Sequence, residues 1–231
     1  MITLGLDTSA VAASAALWED GRLLGENFIN VKLTHSQTIL PMVQSLFAAT
    51  GKTVADVDRF AVSTGPGSFT GLRIGISAVK GMAFGTQKEC VPVSTLEALA
   101  YNLLGQNCIA AAVMDARVGQ VYCAAFRIEG DKITRLCEDA AMSAAEFREK
   151  LRSFDPDLPH LLVGDGAQLC YNSWEGEGVQ LAPPHLRYQK AASVCMAAEE
   201  GTPISAQQLQ PQYLRLPQAQ RELLQKQQKA R

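Results

Sequence analysis

Several familiar sequence signals are missing from this chain of 231 residues. Its apolar runs are far shorter than the roughly 20 residues that cross a bilayer, so no contact with a membrane is expected. The net charge of −2 gives no sign of the clustered basic face that an independent nucleic-acid binder needs. Residues 1–5 have neither the basic segment nor the small-residue cleavage site of a signal peptide. These absences predict a cytoplasmic protein.

Metal-binding and disulfide patterns are also lacking. The six cysteines are scattered without a Cys-x-x-Cys pair, and most lie among apolar neighbours, which predicts reduced thiols in a core. One of only three histidines, His35, opens an amphipathic segment, but Ile39 stands at the i+4 position where a second metal ligand would be needed. We therefore predict no metal site, and no Ser-His-Asp or paired-carboxylate motif indicates a catalytic residue.

The hydrophobic pattern that is present divides the chain into two similar halves. Apolar runs and turn signals predict three strands, a helix, a strand and a helix, followed by an echo of this order after Gly105. This order predicts an α/β protein of two lobes, each a βββαβα unit. The expected limits are 1–105 and 106–216, with a polar tail over 217–231. One alternative for the end of the second lobe is that it packs back on the first.

A glycine-rich segment, residues 63–75, separates a predicted strand from a predicted helix. Such a turn either brings backbone amides to a phosphate or lets a second backbone approach closely. It fits neither common phosphate loop, because no Gly-Lys-Ser/Thr follows and Thr70 stands where the third glycine of a dinucleotide loop belongs. The sequence favours an architectural turn. Its residues are Gly65, Pro66, Gly67, Ser68, Thr70 and Gly71.

Polar residues end the first predicted strand of each half. Asp7, Thr8 and Ser9 follow the first strand, and Asp115 follows the strand that opens the second half. Ligands of α/β folds gather at such strand ends, where an aspartate could hold a metal and hydroxyls could contact phosphate. The alternative is that these side chains satisfy the amides of their own turns.

Two predicted helices, 37–49 and 69–85, have strongly apolar faces. In the second helix, Gly71 and Gly75 share a face, as do Gly81 and Gly85, because each pair is four residues apart. An interior glycine costs roughly 0.5–1 kcal/mol relative to alanine, so these glycines indicate close packing, either within the lobe or against a partner. We predict a partner interface on these helices. It comprises His35, Ile39, Leu40, Val43, Leu46, Phe47, Phe69, Leu72, Arg73, Ile76, Val79 and Lys80.

In combination and order, the motifs resemble those of the TsaB family, also called YeaZ. The motifs are Asp7-Thr8-Ser9, His35-Ser36, the block 65–75, the block 94–100, Asp115-Ala116-Arg117 with Tyr122, and the block 211–215. The resemblance implies a two-lobed fold of the actin, sugar-kinase and Hsp70 type (ASKHA). It also implies a non-catalytic subunit that binds and supports TsaD in forming threonylcarbamoyladenosine next to the anticodon of tRNA.

Further expectations follow from the resemblance. It implies a homodimer when the chain is alone, contact with the ATPase TsaE through the complex, and contact with tRNA only through the complex. Asp7, Thr8, Ser9 and Asp115 would then be remnants of a nucleotide cleft, and no cofactor is expected. The alternative is a nucleotide-dependent kinase-like enzyme or a glycoprotease-like peptidase of the same fold. That alternative requires a complete phosphate loop or a second metal ligand, and neither is visible in the sequence.

Overall fold

Ten strands and six helices form the framework of the computed structural model, which describes residues 1–215. The strands are β1 Ile2–Asp7, β2 Ala13–Glu19, β3 Arg22–Ile29, β4 Arg59–Gly65, β5 Glu89–Ser94, β6 Asn107–Arg117, β7 Gln120–Glu129, β8 Lys132–Ser143, β9 His160–Val163 and β10 Gln180–Leu181. The helices are α1 His35–Thr50, α2 Phe69–Thr86, α3 Thr95–Tyr101, α4 Ala144–Leu151, α5 Ala167–Ser173 and α6 Ala191–Glu199. The predicted polar tail, 217–231, lies outside the described residues.

The two halves share one sheet topology. The first sheet has the order β3-β2-β1-β4-β5, and the second has the equivalent order β8-β7-β6-β9-β10. In each, the first three strands pair antiparallel and the last two are added parallel. The predicted two-lobed, duplicated α/β fold is therefore confirmed. Each half continues beyond the predicted βββαβα unit with a fifth strand and a further helix, so the repeat is βββαβαβα.

Local capping signals explain where several helices begin and end. The Ser68 hydroxyl accepts from the Gly71 amide at the start of α2, and Ser143 and Glu146 form a reciprocal capping box on α4. Gly51 ends α1 in the left-handed conformation, at φ 66°. The short elements α5 and β10 were not predicted, because seven and two residues are too few for a hydrophobic period to show.

Helix α3 packs between the two sheets, and α6 packs on the sheet of the other half. Leu96 and Leu99 of α3, from the first half, pack in one cluster with Phe126 of the second sheet. Cys195 of α6, from the second half, packs against Ala16 of the first sheet. The two helices also contact each other between the sheets. The division at residue 105 in the sequence is thus not the division made by the hydrophobic packing.

The segment after α6 returns to the first lobe, as one of the sequence alternatives allows. Cys90 and Ile204 exchange two backbone hydrogen bonds of 2.9 and 2.8 Å, which adds a bridge to the outer edge of β5. Ala206 and Leu209 are buried in the core of the first lobe. No helix within residues 1–215 has both the length and the apolar character needed to cross a membrane.

Candidate functional site

The carboxylate of Asp7 lies buried at the end of β1 and is held by its own chain. The Ser9 amide and hydroxyl donate to Oδ1 over 2.9 and 2.8 Å, and the Ser63 hydroxyl donates to Oδ2. Burial raises the pKa of Asp7, while these hydrogen bonds oppose the rise. Both oxygens therefore have partners, Oδ1 within the turn and Oδ2 in β4. This geometry favours the reading in which Asp7 satisfies turn amides and hydroxyls.

The space around the glycine-rich turn is filled by backbone. A Cβ on Gly71 would overlap the Thr8 carbonyl, one on Gly67 the Ser9 carbonyl, and one on Gly65 the Gln212 carbonyl. The Ser68 amide donates to the Ser9 carbonyl over 2.7 Å, and the Thr8 hydroxyl donates to the Gly71 carbonyl over 2.8 Å. The glycines thus allow two other stretches of this chain to approach closely, which is the architectural alternative.

A cleft of about 670 Å³ opens between the lobes, beside this turn. It is lined by Ser9, Asp115 and the first turn of α2 but not by Asp7 or Thr8. The three residues at the end of β1, Asp7, Thr8 and Ser9, are all at most 1% exposed. Its lining residues are Ser9, Ala10, Val11, Gly67, Ser68, Phe69, Thr70, Arg73, Met114, Asp115, Ala116, Arg117, Tyr122 and Asp165. Of the four predicted cleft residues, Ser9 and Asp115 therefore line the cleft, and only Asp115 is exposed.

Asp165 is a cleft residue that was not predicted. Burial, together with the negative charges of Asp115 and Asp7, raises its pKa to about 6. The Gln189 side-chain amide donates to Asp165 Oδ1 over 2.8 Å and partly opposes this shift. The signal that could have found it is an aspartate between two glycines directly after a buried strand. Within residues 1–215, no group of three or more His, Cys, Asp or Glu side chains is arranged to hold a metal.

Half of the predicted partner interface is buried inside the first lobe. Six of its side chains are at most 4% exposed. Five of them belong to the core beneath α1 and α2, and the sixth, Leu72, lies fully buried beside the glycine-rich turn. They are Ile39, Val43, Leu46, Leu72, Ile76 and Val79. The apolar stripe of each helix packs on its own sheet, so these six side chains, contrary to the prediction, leave little or no surface exposed for a partner.

The remaining predicted interface residues lie in two places. Phe69 and Arg73 contact Tyr213 near the cleft: the rings of Phe69 and Tyr213 stack at 4.0 Å. His35 Nε2 donates to the Ala10 carbonyl over 2.7 Å, while Nδ1 is buried without a partner within residues 1–215. The others, Leu40, Phe47 and Lys80, lie farther along α1 and α2 and are half-buried or exposed.

A shallow apolar groove of about 630 Å³ lies between the outer faces of α1 and α2. We call it the α1–α2 groove, and its lining residues are Leu40, Val43, Gln44, Phe47, Lys52, Thr53, Val54, Gly81, Met82, Gly85 and Thr86. A Cβ on Gly81 or Gly85 would meet no atom within 4 Å. The two glycine pairs of α2 are therefore used differently, since Gly71 and Gly75 contact the turn after β1 and the second pair faces open space.

Comparisons with known proteins agree with this fold. Residues 29–221 match the family model described as TsaD, tRNA N6-adenosine threonylcarbamoyltransferase. The tRNA threonylcarbamoyladenosine biosynthesis protein TsaB of Escherichia coli is 32% identical over 93% of this chain and 95% of its own length. TsaB of Bacillus subtilis is 30% identical over 73% of both chains.

More distant relatives and solved structures extend the comparison. A tRNA N6-adenosine threonylcarbamoyltransferase of Solidesulfovibrio magneticus is 30% identical over 69% of this chain and 47% of its own length. The structure of YeaZ from Pseudomonas aeruginosa superposes with a TM-score of 0.76, at 29% identity, over 92% of this chain and 99% of that one. The ethanolamine utilization protein EutJ of Carboxydothermus hydrogenoformans shares the fold at a TM-score of 0.52, with 15% identity over 86% of this chain and 89% of its own. The chain therefore belongs to the TsaB (YeaZ) family of tRNA threonylcarbamoyladenosine biosynthesis proteins.

Proposed function

We propose that this chain is a non-catalytic partner subunit in the formation of threonylcarbamoyladenosine in tRNA, and that it docks a TsaD-type transferase on its α1–α2 groove. The observation that carries the proposal is the exposed glycine pair, Gly81 and Gly85. Each glycine costs its helix roughly 0.5–1 kcal/mol, and no contact within residues 1–215 uses the space it leaves. A partner helix that approaches the backbone of α2 would use that space.

The chemistry of the groove suits such a contact. Leu40 is 47% exposed, and Phe47 and Met82 are half-buried beside the glycines. Complete burial of each large side chain contributes about 1.5–3 kcal/mol relative to full exposure, so a few partly exposed ones support a specific interface. Ionic side chains are few along the groove, where Lys52 is the one charged residue among those that line it.

The identity of the partner is suggested by the relatives. The chain matches the transferase family model over most of its length, and a full transferase is 30% identical over 179 residues. A transferase of that kind would therefore carry a lobe built like the first lobe here, with helices equivalent to α1 and α2. Two such lobes could pair face to face in a pseudo-symmetric contact. The same geometry would support the homodimer that we propose for the chain when it is alone.

The rest of the assembly follows from this role. TsaE and tRNA would contact the chain only within the complex with TsaD, and the whole assembly would be cytoplasmic. The enzyme alternative, a nucleotide-dependent kinase-like or peptidase activity, is less favoured. The glycine-rich turn is occupied by backbone from this chain, and His35 uses Nε2 for the Ala10 carbonyl.

The experiment that tests the proposal is a binding measurement on the double variant Gly81→Leu/Gly85→Leu. The Cβ of a leucine at either position would meet no atom outside its own helix, and the rest of the side chain would extend into the open groove, so the fold should persist while TsaD from the same organism binds at least tenfold more weakly in calorimetry. The matched control is Ala145→Leu, which adds the same side chain to an exposed position of α4 in the other lobe. Undiminished TsaD binding by the double variant would show that the groove is not the docking face.

A further inference from the structure

The segment 201–215 runs from the core of the first lobe to the mouth of the cleft, and we call it the C-terminal strap. Its first part is firmly held: Ile204 pairs with Cys90, and the side chains of Ala206 and Leu209 are at most 6% exposed. Moving this part would expose core residues of the first lobe. Only the residues after Leu209 can leave the surface without disturbing the core.

The second part of the strap lies on the glycine-rich turn and on α2. The Gln212 amide donates to the Thr64 carbonyl over 2.7 Å, and its own carbonyl occupies the space that a side chain on residue 65 would need. The ring of Tyr213 stacks on Phe69 at an interplanar angle of 16°, and its hydroxyl accepts from Arg73 Nε over 2.8 Å. Phe69 and Arg73 both line the cleft, so the strap covers one of its walls.

The last described residue reaches across to the other lobe. Arg215 Nη1 donates to the Ala116 carbonyl over 2.9 Å, and Ala116 lies in β6, on the opposite wall of the cleft. The strap therefore connects the start of α2 to the end of β6, which are the two walls whose separation sets the width of the cleft. Three hydrogen bonds, at Gln212, Tyr213 and Arg215, and one aromatic stack hold this part of the strap, and contacts of about 1 kcal/mol each can break reversibly.

We propose that the C-terminal strap is a latch that fixes the width of the interlobe cleft, with Tyr213 as its anchor on the first lobe and Arg215 as its bond to the second. When the residues after Pro211 leave the surface, they uncover Phe69 and Arg73 and break the connection that the strap makes between α2 and β6. Tyr213 and Leu214 are already 37% and 40% exposed, so their release uncovers the remaining part of two side chains and the stacked face of Phe69, and no residue of the core. This arrangement places the strap among the parts of the fold that open at low free-energy cost.

The test measures the distance between the lobes in the full chain. Spin labels are placed on exposed helical positions of the two lobes through Gln37→Cys and Gln168→Cys, with Cys137→Ser to remove the half-buried thiol; the other five cysteines are buried. Double electron–electron resonance then compares Tyr213→Ala and Arg215→Ala with the parent. The control is Gln207→Ala, an exposed position in the held part of the strap.

We expect both strap variants to give a broader and longer distance distribution than the control. Amide hydrogen exchange at residues 67–70 and 115–119 should become faster by on the order of tenfold in Tyr213→Ala. Tyr213→Phe keeps the stack and should fall between Tyr213→Ala and the parent; it also serves if the alanine variant is poorly folded. Distances and exchange rates equal to those of Gln207→Ala in both strap variants would overturn the proposal, because the strap would then rest on the cleft without holding it.

Discussion

Replacing the exposed glycines of α2 with alanine should stabilise the chain, whereas the same change at Gly71 should destabilise it. A Cβ at residue 81 or 85 meets no atom within 4 Å, so the alanine gains helix propensity without a steric cost. The expected gain in the free energy of unfolding is about 0.5–1 kcal/mol for each site. The Gly81→Ala/Gly85→Ala variant should therefore gain about 1–2 kcal/mol in total.

At Gly71 the balance reverses. The added Cβ overlaps the Thr8 carbonyl, so the start of α2 and the turn after β1 must move apart. This strain costs about 1–3 kcal/mol, and loss of the hydrogen bond from the Thr8 hydroxyl to the Gly71 carbonyl adds about 1 kcal/mol. Even after the gain in helix propensity, the variant should lose about 1–3 kcal/mol.

Urea unfolding followed by circular dichroism measures both effects on the same scale. For a chain of this size, each kcal/mol corresponds to a shift of about 2–4 °C in Tm, which gives an independent check. If Gly81→Ala lowered stability, or if Gly71→Ala left it unchanged, the assignment of one glycine pair to intrachain packing and the other to open space would be refuted. The stabilised double variant should also bind TsaD no better than the parent, which would separate helix stability from partner contact.

Three further predictions concern charged groups. The pKa of Asp165 is raised from 3.8 to about 6, so the stability that this carboxyl contributes is full below pH 3.8 and is lost as the pH rises through 6. The free energy of unfolding of Asp165→Asn, measured in urea, should therefore exceed that of the parent by up to about 3 kcal/mol at pH 8 and match it near pH 3.5. An equal difference at both pH values would contradict this. Arg135 donates to the carboxylates of Asp139 and Glu97, over 2.6 and 3.1 Å, and lies over the Phe126 ring. Arg135→Met should therefore lower the free energy of unfolding by about 2 kcal/mol in the same assay, and a neutral result would show that solvent screens these pairs. Glu26 caps α6 by accepting from the Ala192 amide over 2.9 Å; Glu26→Ala should lower Tm by the equivalent of about 1 kcal/mol, whereas Glu26→Gln, which keeps an acceptor, should lower it less.

Many elements of the fold could be predicted because they depend on short stretches of sequence. The Asp-Gly turn at Asp20-Gly21, the serine caps of α2 and α4, and the apolar runs of the first strands are all local features of this kind. The repetition of the strand order in two halves followed from the same local signals. The family resemblance also needed no structure, since it is a property of ordered motifs.

The apolar faces of α1 and α2 show what local signals leave open. Periodicity identified the stripe that contains Ile39, Val43 and Ile76 but could not say whether a sheet of the same chain or a partner covers it. The structure assigns the stripe to the core and leaves the neighbouring strip, with Leu40 and Gly85, on the surface. Charged substitutions at Val43 or Ile76 would consequently report on core stability more than on partner binding.

By itself, the sequence determined the α/β class, the duplicated strand order, the glycine-rich turn and the membership of the TsaB family. Only the tertiary structure decided which backbone fills that turn, which helices cross between the sheets, and that Asp165 and the C-terminal strap meet at one cleft. The physical reason is range. Caps, turns and hydrophobic periods act over a few residues, whereas Gly65 meets Gln212 and Ala116 meets Arg215 only after about a hundred or more intervening residues have folded around them.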